Sequence, residues 1–134
     1  MRIDRIAPVF FMLAALQAAL VVPAAQGAEG DLSAFMKAKL RHSEKVLEGL
    51  ATEDYELIVK NSQAISLLCE DEMWAVLKTP EYQERSREFR RSVDAITEAA
   101  RAKNLEAAAL SYVDATMNCV SCHKYVRKAR PQGK

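Results

Sequence analysis

The chain has 134 residues, half of them apolar, with 19 basic against 18 acidic side chains and a formal net charge of +1. Such a length suits one compact domain rather than two. A charge balance this close to zero gives no electrostatic footprint for nucleic acid.

The first stretch reads as an export signal. Arg2 and Arg5 form a charged start, Ala7 to Val22 is an apolar run, and Pro23-Ala24-Ala25-Gln26-Gly27-Ala28 offers the small residues a signal peptidase needs. The run is short for a membrane span, so cleavage near Gly27 is expected, giving a signal peptide over 1–27 and a soluble, exported domain over 28–134. In that domain basic and acidic side chains are equal in number.

Beyond the signal the apolar spacing is helical and no strand alternation occurs. A first helix is predicted over about Leu32 to Leu50, entered through Asp31 or Ser33, with Met36, Leu40, Ser43, Leu47 and Leu50 on one face. Gly49 loosens its end. Thr52 is the expected cap of a second helix, with Glu53 and Asp54 in its first turn, where the helix dipole favours negative charge. This helix turns Ile58, Ile65, Leu68 and Cys69 inward. Glu70 to Lys78 is predicted as the longest connection, and its Met73, Trp74, Val76 and Leu77 are apolar enough to fold back as a lid.

Thr79-Pro80 starts a third helix, threonine as cap and proline at the first helical position. Its predicted inner face is Tyr82, Ser86, Phe89, Val93, Ile96 and Ala100. Asn104 caps a fourth helix, whose predicted stripe is Leu105, Ala109, Tyr112, Thr116, Cys119 and His123. Four such segments joined by short turns pack most economically as an all-α, antiparallel up-down-up-down four-helix bundle.

The chemistry of the chain is concentrated in Cys119-Val120-Ser121-Cys122-His123. Two thiols three positions apart, followed at once by a histidine, suit covalent attachment of haem c: each sulfur saturates one vinyl group and the imidazole reaches the iron. A redox dithiol would be expected near a strand–helix junction, which the periodicity does not give. Zinc would need about four ligands, and neither His42 nor Cys69 forms a second ligand pair. A disulfide between Cys119 and Cys122 would staple almost nothing. One haem c per chain is therefore expected, and export agrees with it.

An exported four-helix chain with a single Cys-x-x-Cys-His near the carboxyl end of its last helix resembles the class II c-type cytochromes, the cytochrome c-prime family. The resemblance implies a basic residue beside the proximal haem face four positions after the histidine, a place held by Arg127. An aromatic three positions after the histidine is common in the family; here Val126 stands there and Tyr125 one place earlier. Members often pair through their first two helices, so the resemblance is compatible with a homodimer.

The family divides by its sixth iron ligand. High-spin members carry an apolar side chain from the first helix over the distal face and bind nitric oxide or carbon monoxide; low-spin members place a methionine there and resemble electron carriers. Numbering offers a test, because in an antiparallel bundle the start of the first helix lies beside the end of the fourth. Met36 falls about 6 Å from a start near Leu32, and His123 about 9 Å from an end near Ala129. His42 would lie about 15 Å in and roughly 120° off the stripe. Met36 is thus the expected sixth ligand, and the expected function is one-electron transfer with redox proteins of the periplasm, without catalysis. A five-coordinate, gas-binding protein is the alternative.

Overall fold

The computed structural model describes residues 25–70 and 77–129, with side chains from Leu32 onward in the first helix. Residues 1–24 of the expected signal, and Met73, Trp74 and Val76 of the expected lid, lie outside the described residues. Four helices make up the fold: α1 (Ala25–Thr52), α2 (Tyr55–Leu68), α3 (Pro80–Arg101) and α4 (Leu105–Ala129). No helix among the described residues is long and apolar enough to cross a membrane.

The two short turns are built alike. Just past the end of α1 and of α3, Glu53 and Lys103 each take a positive φ (56° and 54°). The next residue then returns its N–H five positions back, Asp54 to Gly49 O and Asn104 to Ala99 O, both at 2.9 Å. This left-handed ending closes the last open carbonyls. The same residue also starts the following helix: Asp54 accepts from Leu57 N and Asn104 from Ala107 N. The expected Thr52 cap is therefore corrected to Asp54. Thr52 is the last residue of α1, and its hydroxyl bonds back to Glu48 O at 2.8 Å. Gly49 does not loosen α1 either. A Cβ there would meet Ile58 Cγ1 at 2.8 Å and Asp54 O at 3.0 Å, so glycine is what lets the start of α2 close onto α1.

α3 begins where the Thr79-Pro80 pair predicts, with Thr79 accepting from Tyr82 N. All six residues of its predicted inner face are buried. Cross-helix bonds fix antiparallel order throughout. His42 meets Asn61 and Lys39 meets Cys69 between α1 and α2. Ser62 meets Thr97 between α2 and α3. Arg85 reaches Ser121, Asn118 reaches Ser92, and Thr79 meets Tyr125 between α3 and α4. Ser43 meets Tyr112 between α1 and α4.

The core runs through Val46, Ile58, Ile65, Cys69, Phe89, Val93, Ile96, Ala100 and Ala115. α1 contributes Phe35, Lys39, Val46 and Gly49 to the interior; of the expected Met36–Leu40–Ser43–Leu47–Leu50 stripe, Leu50 packs partly buried against the core while Leu40 and Leu47 are exposed. α4 likewise buries Ala108, Ala115 and Cys122, while Ala109, Thr116, Cys119 and His123 of its expected stripe are exposed. One cause explains both shifts. α1 packs mainly on α2 and α4 mainly on α3, so each turns its deepest residues to that neighbour, and Met36, Leu40, Ser43, Tyr112, Thr116, Cys119 and His123 of the expected stripes border the gap between α1 and α4.

Candidate functional site

That gap is a cavity of about 530 Å³, and mostly apolar side chains line it. Met36, Leu40 and Ser43 stand on the α1 wall, Tyr112, Thr116, Cys119 and His123 on the α4 wall, and Phe89, Val93 and Ile96 of α3 at the back. The Ser43 to Tyr112 hydrogen bond, at 3.3 Å, ties the two walls together. Four of the five residues singled out by sequence, Met36, Cys119, Cys122 and His123, thus share one cavity. Its volume lies within the roughly 300–1,000 Å³ of ordinary ligand sites.

Helix geometry sets the order of the α4 groups. Cys119 and Cys122 are one turn apart, and His123 returns to the Cys119 side after four residues. All three cysteines are free, with Cys119 exposed and Cys122 buried. Burial pushes both α4 thiols up, and the Lys39 ammonium opposes the shift. His123 moves the other way: desolvation first, then Arg127 and Lys39, hold its pKa below the usual imidazole value. It is exposed as a residue, yet its ring borders the cavity, and the neutral form that results is the one able to ligate a metal. Arg127, one turn further on and exposed, does not line the cavity but lies close enough to act on His123.

Two cations escaped sequence reading. Lys39 is buried, with Nζ 3.6 Å from Cys69 Sγ and 4.1 Å from the centre of the Phe89 ring. Desolvation lowers its pKa from 10.5 to about 8. It lines the same cavity as Met36, three residues along α1; the only sequence signal was its place in the Phe35, Lys39, Val46 spacing. Arg85 of α3 donates to Ser121 at 2.6 Å and to Glu81 at 2.8 Å, and its guanidinium faces the Tyr125 ring. Its Nε is buried with no partner among the described residues. Arg85 therefore fixes the back of the helical turn that carries Cys122.

His42 stands apart from this group. Its Nδ1 lies 2.9 Å from Asn61 Oδ1 on α2, and it is not among the cavity-lining residues. Cys69, buried at the end of α2, is part of the core as expected.

Among the described residues no group of three or more His, Cys, Asp or Glu side chains converges as a bare metal site would require. Haem c asks for something else: two thiols one turn apart, one neutral imidazole, and an apolar slot beside them. The residues present fit that demand. Comparison with known protein families, with curated proteins and with solved structures returned no match.

Proposed function

We propose that the chain is a mono-haem c-type cytochrome of the class II kind, an exported one-electron carrier working among periplasmic redox proteins. One observation carries the reading: the thiols of Cys119 and Cys122, the imidazole of His123 and the thioether of Met36 all border a single apolar cavity between α1 and α4.

Cys119 and Cys122 would hold the haem through thioether bonds from α4, and His123 would supply one protein ligand to its iron. Met36, on the opposite wall, would supply the other. When bound, the haem contributes an iron that exchanges one electron. The protein contributes rigidity. α4 is fixed to α3 by Arg85, Asn118 and Tyr125, and α1 to α2 by His42 and the close approach at Gly49. Two ligands carried on separately anchored helices favour little rearrangement between oxidation states. Arg127 lies on the His123 side, suited to an acidic group at the haem edge.

Leu40 supports a second reading. It borders the cavity one turn beyond Met36, where an apolar side chain over the iron would leave the sixth position to nitric oxide or carbon monoxide. Spectra of the matured protein in both oxidation states, with and without carbon monoxide, separate the two. The electron-carrier reading expects a low-spin iron that takes up carbon monoxide readily only after Met36→Ala; immediate uptake by the unsubstituted protein would overturn it.

A further inference from the structure

The face that α1 turns to α2 reads Phe35, Lys39, His42 and Val46, at steps of four and three, and sets two polar side chains among apolar ones. His42 meets an amide oxygen, Asn61 Oδ1, at 2.9 Å. Lys39 is set against softer groups. Its Nζ lies 3.6 Å from Cys69 Sγ at the end of α2 and 4.1 Å from the centre of the Phe89 ring. Lys39 and Cys69 are both buried, each keeping 8% of its surface. A thiol is a weak acceptor, so the pair is a poor salt link. It is better placed to make a bond, since 3.6 Å is close to the roughly 3–3.5 Å of a near-attack arrangement.

The surroundings favour the reactive form of the amine. Burial brings the Lys39 pKa down to about 8. At pH 7 about one amine in ten is then neutral, against fewer than about one in a thousand at the ordinary value. Burial pushes the Cys69 thiol up, and Lys39 and Arg90 act against that shift, as an electropositive setting does for cysteines that oxidise. Access comes from the side of Lys39, which borders the cavity between α1 and α4. A peroxide, little larger than water, fits there.

We propose that Lys39 and Cys69 are a covalent modification site, at which hydrogen peroxide drives formation of a sulfenamide joining Nζ on α1 to Sγ at the end of α2. The Cys69 thiolate attacks one peroxide oxygen and the O–O bond breaks. The departing hydroxide takes the proton that the thiol gave up and becomes water, leaving a sulfenic acid on Cys69. The Lys39 nitrogen then attacks the sulfur: the S–N bond forms, the S–O bond breaks, and the hydroxyl leaves as a second water with a proton from nitrogen. One thiol, one amine and one peroxide thus give one S–N bond and two waters. The sulfur loses two electrons and the peroxide gains them. Two equivalents of an added thiol reverse the step and leave as a disulfide. The link ties α1 to α2 across 30 residues of chain and draws a positive charge off the cavity wall. It does not depend on what the cavity binds.

Peptide mapping of the exported, matured chain after treatment with hydrogen peroxide tests the proposal. Trypsin should release residues 38–41 joined to residues 61–78, two hydrogens lighter than the two peptides together, and dithiothreitol should part them. Cys69→Ser should abolish the joined peptide. Lys39→Met removes the amine but not the thiol, and should keep the helical circular dichroism of the natural protein. Its sulfenic acid has no nitrogen to meet, so dimedone, a diketone that captures sulfenic acids, should label Cys69 about tenfold more in Lys39→Met than in the natural protein. Peptides that stay separate after peroxide overturn the inference. So does equal dimedone capture at Cys69 in the two proteins, or a joined peptide that retains an oxygen atom in the link.

Discussion

Two interfaces of this bundle, α2 on α3 and α1 on α4, differ in what closes them. Between α2 and α3, protein atoms close the inner side, where Ile58, Ser62 and Thr97 are buried and the Ser62 and Thr97 hydroxyls meet at 2.6 Å. What is left unfilled is an open groove on the outside, past Lys60, Arg90 and Glu98. Between α1 and α4, the Ser43 to Tyr112 bond spans a gap whose walls carry Met36, Cys119 and His123. An interface closed on its inner side holds the fold; one left open toward the core offers a place for something else. If that is the division of labour, disturbing each interface should produce a different kind of failure.

The largest effect should come from the open side. On the proposed haem attachment, Cys119→Ala together with Cys122→Ala removes both thiols, so the intact mass should lose the covalently added macrocycle altogether. Hydrogen exchange sharpens the comparison. Without the added group, amides near Met36–Ser43 and Tyr112–His123 should exchange much faster, while those around Ser62 and Thr97 keep their protection. Uniform loss of protection would mean that the two interfaces are one cooperative unit and that the contrast is false.

Next come substitutions on the closed side. Ile58 is fully buried against Gly49 and the α3 face, and Ile58→Ala should cost about 2–5 kcal/mol in denaturant unfolding. Leu40→Ala, on the cavity wall, should cost under about 0.5 kcal/mol in the haem-free chain, because its side chain is already exposed. Comparable costs at the two sites would show that the cavity wall is load-sharing core.

The same division decides how much could be read from sequence. For α3, packed between α2 and α4, the apolar repeat and the buried face coincide at all six positions from Tyr82 to Ala100. For α1 and α4 the repeat is split: Leu50, Leu105 and Tyr112 pack against the core, Met36, Leu40, Ser43, Thr116, Cys119 and His123 border the cavity, and Leu47 and Ala109 are exposed. Periodicity marks apolar spacing along a helix, not which neighbour that face meets. Lys39 was invisible to that logic, since a lysine at a core-facing position looks like a break in the pattern. The exchanged roles of Thr52 and Asp54 have a simpler origin. Both are good caps, and only the left-handed turn at Glu53 decides between them.

Lys39 sits where the two interfaces meet, and its pKa gives a test by pH. Its folded value, about 8, lies below its ordinary 10.5 because burial disfavours the ammonium. Below about pH 8 the amine is charged in both folded and unfolded chains, so the full cost of burying it is present. Between about 8 and 10.5 only the unfolded chain holds the proton, and stability rises with pH. Lys39→Met should therefore stabilise the haem-free protein by about 1–3 kcal/mol at pH 7, and the advantage should shrink steadily toward pH 10.5. An advantage that stays constant with pH would mean that the ammonium is solvated and the cavity wetter than its lining suggests.

The smallest effect concerns the turn that lets α2 close onto α1. Asp54 accepts from Leu57 N at 2.9 Å and returns its own N–H to Gly49 O, so it ends one helix and begins the next. Thr52, two residues earlier, spends its hydroxyl on Glu48 O within α1. Removing the Asp54 side chain leaves an N–H at the start of α2 without its acceptor, and Asp54→Ala should cost about 1 kcal/mol. Thr52→Ala removes a bond that competes with the α1 ladder and should be close to neutral. Thermal unfolding of the two variants side by side distinguishes them. A larger loss at Thr52 would return the cap to the position that sequence favours, and would put the start of α2 a turn away from the contact that excludes a side chain at Gly49.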